Sequence, residues 1–143
     1  MTFPSRPEYE SLVYGVLDDY AEVVDSTLHI YSTSALTSIV QGRVSLSNGL
    51  VLRVVEALDF KRERILQYSY TVFRGKERIR WYDSQPHPEN PNLASTFPHH
   101  LHDPPNIKHN RKPAPGVSFT APNLPTLIAD CIALDERALA EGE

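Results

Sequence analysis

Ten of the twelve prolines lie between Pro86 and Pro125, and no other feature limits the fold of this chain as strongly. Proline fixes φ and lacks a backbone N–H, so neither a helix interior nor a central strand can run through that stretch. Regular structure must come from the segments on either side, with a long loop over 84–122 between them. Long loops in compact domains are commonly functional, and this one also carries most of the histidines.

Before the loop, Tyr9, Leu12, Val13, Val16, Leu17 and Tyr20 recur at three- and four-residue steps, which predicts a helix over 6–20. Alternation over Glu22–Tyr31 predicts a first strand with His29 pointing outward. Two alternating runs, Leu36–Ser47 and Leu50–Phe60, flank Asn48-Gly49, the strongest short hairpin signal because both residues accept positive φ. Ile65–Arg74 and Glu77–Asp83 come next, joined at Gly75-Lys76. With a two-residue loop there, Tyr70 faces Trp81; a one-residue slip brings Arg80 beside Tyr70 instead. After the loop, Leu127, Ile128, Cys131, Leu134, Ala138 and Leu139 line one face of a helix over 123–140, with Pro125 in its first turn. The expected fold is α+β: a five-stranded antiparallel meander over 22–83, an N-terminal and a C-terminal helix, and a long Pro/His-rich loop.

A length of 143 residues and a hydrophobic share of 41% suit one domain spanning 1–143. No apolar run is long enough to span a bilayer, and the N-terminus lacks a signal-peptide pattern, so a cytoplasmic protein without membrane contact is expected. The single cysteine, Cys131, falls on the apolar stripe of the last helix, a packing position.

The net charge of −4 conceals an asymmetry. Residues 61–112 hold ten Arg and Lys against five Asp and Glu, and five of the six histidines, whereas both flanks are acidic. A polyanionic ligand belongs at such an island. Lys61, Arg62 and Arg64, interrupted by Glu63, read as a solvated turn.

The informative segment runs Tyr68-Ser-Tyr70, Arg80-Trp-Tyr-Asp83, Pro86-His87-Pro88 and Phe97-Pro-His99-His100-Leu-His102. With these motifs the chain resembles the TumE family, the toxin half of bacterial toxin–antitoxin pairs, over roughly residues 22–140. The resemblance implies a small antiparallel sheet with flanking helices, similar to RelE-type ribonucleases, and a small antitoxin protein as partner. Related small proteins are linked to type III CRISPR loci as ring nucleases that degrade cyclic oligoadenylate.

The residues carry the same chemistry independently. Cleaving RNA without a metal requires a base for the 2′-hydroxyl, an acid for the departing 5′-oxygen and fixed cations for the phosphorane. His99 or His102 is the candidate base, His87 the candidate acid and Arg80 the phosphate clamp. Asp83 is expected to orient a histidine, and Tyr70 to hydrogen-bond phosphate or stack on a base. Tyr68, Arg78, His100, Lys108, Arg111, Lys112 and Ser118 complete the expected substrate contacts, with His100 and His109 also readable as solvated loop residues. No cofactor is expected. A competing arrangement gathers His87, His99, His102 and Asp103 around Zn²⁺ or Mn²⁺. The substrate classes are a compact cyclic oligonucleotide, which an island of charge suits somewhat better, and mRNA. A non-catalytic nucleotide-binding module is the alternative from another class, and oligomeric state, a homodimer included, is left open.

Overall fold

The structure, a computed structural model, describes residues 3–83, 99–102, 111–114 and 116–142. Ser5 opens the first helix through a reciprocal capping box: its hydroxyl accepts from Glu8 N–H at 3.3 Å, and its own N–H donates to the Glu8 carboxylate at 3.1 Å. The expected helix is two pieces, α1 (Arg6–Tyr14) and α2 (Val16–Asp19), divided at Gly15. Tyr9, Val13 and Val16 turn inward as their spacing requires, while Leu17 stays exposed.

The first expected strand is likewise two, β1 (Val23–Ser26) and β2 (His29–Ser32), both pairing with β3 (Thr37–Leu46). Gly42 explains the interruption. The backbone of Thr27 and Leu28 crosses directly over it, and a Cβ there would meet the Thr27 carbonyl oxygen at 2.5 Å, so only glycine, at φ +138°, fits the crossing.

β3 and β4 (Leu50–Asp59) form the hairpin expected around Asn48-Gly49, but with a three-residue loop. Gly49 alone takes positive φ, +89°, and Asn48 shapes the turn by accepting from Leu50 N–H through its side chain at 3.0 Å. β5 (Arg64–Arg74) and β6 (Glu77–Asp83) meet at Gly75-Lys76, with Arg74 opposite Glu77 and Phe73 opposite Arg78. A bulge then shifts the register, so Val72 faces Arg80 and Tyr70 faces Tyr82. Neither expected register is adopted, because the extra residue at the bulge moves the pairing the other way.

Two further strands arise in the proline-rich region: β7 (His100–His102) pairs with β6, and β8 (Arg111–Pro113) pairs with β7. Among the described residues the sheet therefore holds eight strands rather than five, in the order β1-β3-β4-β5-β6-β7-β8, with β2 also on β3. Proline is tolerated in β8 because it is an edge strand. The last helix is α3 (Leu124–Gly142).

Both helical segments pack on one face of the sheet. Leu50, Leu52, Val54 and Leu58 of β4, Tyr68, Tyr70 and Val72 of β5, and Tyr82 of β6 meet Tyr9 and Val13 at one end and Leu127, Ile128 and Cys131 at the other. Burial of that apolar area is the main stabilising contribution. Burial also pushes the Cys131 thiol up to about 12, so it stays protonated and acts as an apolar filler. No helix among the described residues is long and apolar enough to cross a membrane.

Candidate functional site

The helix-covered face contains one carboxylate with no access to water. Glu56 is 0% exposed, and Tyr9 and Tyr70 each donate a 2.5 Å hydrogen bond to one of its oxygens. Burial raises the Glu56 pKa, and the two hydroxyls oppose that shift only in part. Tyr70 also accepts from the Asn123 amide at 3.0 Å, which joins α1, β4, β5 and the start of α3 in one closed network. Tyr70, expected at phosphate or stacked on a base, is thus enclosed with its hydroxyl fully engaged.

Arg80, the expected phosphate clamp, shares this face and is 6% exposed. Its charge and a hydrogen bond act on the Tyr82 hydroxyl, which donates to Asp130 of α3 at 2.9 Å. Arg80 lies about four residues along the strands from the level of His99, roughly 13 Å, and serves the α3 contact. Burial drew it inward: the bulge that faces Val72 with Arg80 aligns it with the core positions.

At the far end of β6 the two expected bases part company. Positions three apart on an extended chain project to opposite faces. His99 sits against Tyr68 on the helix side, with ring centroids 5.7 Å apart, and against Phe119 at 4.6 Å. His102 lies on the other face, stacked on Trp81 at 4.6 Å and bonded through Nε2 to the Asp83 carboxylate at 3.2 Å. His102 is 2% exposed, whereas His99 is half-buried. The His99-x-x-His102 pair therefore does not converge on one ion, and among the described residues no group of three or more His, Cys, Asp or Glu side chains could hold a metal.

Asp83 connects the two imidazoles. Its carboxylate holds His102, and its backbone carbonyl accepts from the Tyr68 hydroxyl at 3.3 Å. The same hydroxyl meets His99 Nδ1 at 2.7 Å. Burial foremost, then the Asp83 charge, raises the Tyr68 pKa, so this hydroxyl keeps its proton. One proton and two acceptors make the arrangement reversible. When His99 Nδ1 carries hydrogen, it donates to Tyr68, which donates to the Asp83 carbonyl; when Nδ1 is bare, Tyr68 donates to it instead.

The remaining expected residues divide. Arg78 is exposed, with its guanidinium carbon 5.6 Å above the Trp81 ring. Ser118 shapes its own loop, accepting from Thr120 N–H at 2.9 Å while its N–H donates to Asn123. His100 stands opposite Asp83 in register, and Arg111 and Lys112 lie on β8 opposite His102 and Leu101. His87, Lys108 and His109 lie outside the described residues.

Sequence reasoning missed Phe119 and set Arg64 aside as a turn residue. Arg64 opens β5, its guanidinium carbon lies 5.0 Å above the Phe119 ring, and Ile65 N–H donates to the Phe119 carbonyl at 2.7 Å. Among the described residues Arg64 is thus a cation held near His99, one aromatic ring away. No local signal links residues so distant in sequence.

One protein-family comparison succeeds: the family described as Toxin TumE matches residues 14–135. Comparison with curated proteins and with solved structures gives no match.

Proposed function

Because the chain belongs to the TumE toxin family, we propose that it acts as the toxin of a toxin–antitoxin pair by cleaving RNA-type phosphodiester bonds without a metal. The observation that supports this reading is the Tyr68 bracket, which keeps His99 hydrogen-bonded at Nδ1 in either protonation state. A general acid–base group needs that tolerance, because it must gain and lose a proton without being released.

With Nδ1–H bonded to Tyr68, His99 takes the 2′-hydroxyl proton at Nε2. The 2′-oxygen attacks phosphorus, the bond from phosphorus to the 5′-oxygen breaks, and a 2′,3′-cyclic phosphate remains. The 5′-oxygen receives its proton from a second acid, the role expected of His87. Arg64, beside Phe119, supplies positive charge near the developing phosphorane, in place of the enclosed Arg80. His102 acts through Asp83, holding the carboxylate of the residue whose backbone carbonyl accepts from Tyr68. The RelE-type ribonuclease fold that the sequence resemblance implies would favour linear RNA; cyclic oligoadenylate is the competing substrate.

Incubation with linear RNA and with cyclic oligoadenylate, each with and without EDTA, tests the reading. Cleavage should survive chelation and leave 2′,3′-cyclic phosphate ends. His99→Ala should lower the single-turnover rate about 10²- to 10⁴-fold with little change in substrate affinity. Activity lost in EDTA and restored by Mn²⁺ or Zn²⁺ would overturn the mechanism. Tight binding with no cleavage would leave a nucleotide-binding module.

A further inference from the structure

The sheet face opposite the helices is covered by no described element, and its residues form a pattern that the reaction above does not use. Across the strands, Arg43 stands opposite Arg53, Arg53 opposite Thr71, Thr71 opposite Trp81 and Trp81 opposite His102. Arg43, Arg53 and Arg78 are exposed, and Phe73 and Trp81 are partly so. The Arg53 guanidinium carbon lies 5.3 Å above the Phe73 ring, repeating the Arg78 and Trp81 arrangement one strand away. Val55, 41% exposed, extends the apolar ground beneath them.

Two arginines directly opposite on paired strands repel, and the usual remedy is an acidic neighbour. Among the described residues no carboxylate lies within ion-pair distance of Arg43, Arg53 or Arg78. Of the carboxylates that share the face, Asp59 caps the turn at Lys61 and Arg62, Asp83 holds His102, and Asp25, exposed opposite Ser45, makes no ion pair with a described arginine. A chain of net charge −4 has thus gathered cations without a described ion-pair partner and aromatic rings on one surface that no described helix covers.

We propose that this face, centred on Arg43, Arg53, Phe73, Arg78 and Trp81, is a platform that binds single-stranded RNA. Its arginines take phosphates, and its rings stack bases, the combination that single strands require. From Arg43 on β3 to Trp81 on β6 the row crosses three strand spacings, roughly 14 Å, enough for about four stacked nucleotides at about 3.4 Å each. An extended track of that length suits a linear strand better than a compact ring. The row ends at Trp81, which stacks on the buried His102 beside Asp83, and His99 lies on the other face of the same strand pair. The choice of RNA rests on the proposed reaction; the binding surface does not.

The test uses the full chain and a 5′-fluorescein single-stranded RNA of about 12 nucleotides, fully 2′-O-methylated so that it cannot be cut. The Arg43→Gln/Arg53→Gln double variant should bind about 30-fold more weakly, with a log-affinity against log-salt slope shallower by about 1.4, since each lost single-strand phosphate contact removes about 0.7. Phe73→Ala should lose about tenfold with an unchanged salt slope, because stacking releases no counterions. A duplex of the same sequence should bind more weakly than the strand, its bases being inaccessible to the rings. Thermal melting of each variant verifies folding, and His99→Ala should bind the methylated strand like the parent. Unchanged affinity in the double variant overturns the platform, as does a double variant that binds RNA normally but no longer binds a co-expressed acidic protein partner. Because the methylated strand reads binding alone, the outcomes separate: binding as expected with no cleavage of unmodified RNA removes the reaction and keeps the platform, and the reverse result does the opposite.

Discussion

On the helix-covered face, Glu56 is enclosed and answered twice, by Tyr9 and Tyr70; on the opposite face, Arg43 and Arg53 confront one another with no described carboxylate to answer either. Both are polar arrangements that include a residue of β4, Glu56 on one face and Arg53 on the other, separated by one sheet thickness. The difference arises from solvent. A buried polar group left unmatched costs the full desolvation penalty, so the enclosed carboxylate must be satisfied within the fold. Exposed cations lose little to repulsion in water, so a like-charge pair persists where a ligand uses it. Satisfaction therefore marks structure here, and frustration marks binding.

The largest effect expected from this contrast is on the buried side. Glu56→Ala leaves the Tyr9 and Tyr70 hydroxyls without their acceptor and opens a cavity, and should lower unfolding free energy by about 4 kcal/mol, measured by denaturant titration. A loss below about 1 kcal/mol would mean that water reaches the network and that the two faces do not differ as described.

The pH dependence sharpens the same point. Burial raises the Glu56 pKa, so the folded chain holds a proton that the unfolded chain releases. Stability from this group is complete below its ordinary value of 4.5 and declines as pH climbs from there toward the raised folded value, with a slope of at most about 1.4 kcal/mol per pH unit. Glu56→Gln keeps an acceptor and removes the ionisation, so its stability profile should lack that decline. Parallel profiles for parent and variant would show that Glu56 does not titrate between the two states.

Much of this contrast is invisible in the sequence, for physical reasons that differ by residue. Periodicity correctly marked the α1 face with Tyr9 and Val13, the long strands β3 to β6 and the inward Leu127, Ile128 and Cys131 of α3, because a solvent boundary imposes it. It could not mark the bulge in β6, since one extra residue leaves an alternating pattern readable in either phase, and Arg80 moved from the expected ligand side to the core side as a result. The proline count argued against any central strand in that stretch, yet β7, a short run without proline, pairs on both sides, with β6 and with β8; of the two, only β8, which carries Pro113, is an edge strand, where proline costs no ladder bond. The histidine cluster was legible as chemistry but not as geometry. Read as a loop, His99 and His102 converge; read as extended chain, they separate to opposite faces, and only the pairing of β7 with β6 decides between the two. The link between Asp83 and a histidine, by contrast, was foreseen from residue type and is present at His102.

The smallest effect concerns the arginine pair itself. A single Arg53→Gln substitution mixes two opposed contributions, relief of repulsion from Arg43, worth about 0.2 to 1 kcal/mol, and loss of the stack on Phe73, worth about 0.5 to 1 kcal/mol. These nearly cancel, so the single variant decides nothing. Arg43 shows no ring beneath it, and Arg43→Gln should therefore stabilise the fold by a few tenths of a kcal/mol. A double-mutant cycle isolates the pair, because the Phe73 contribution enters both arms that alter Arg53 and drops out of the difference. The coupling should be repulsive, about 0.3 kcal/mol at low salt, and should fade near 1 M salt, where the screening length is about 3 Å. An attractive coupling, or one indifferent to salt, would mean that the two guanidinium groups are already neutralised, and the outer face would then be as settled as the face beneath the helices.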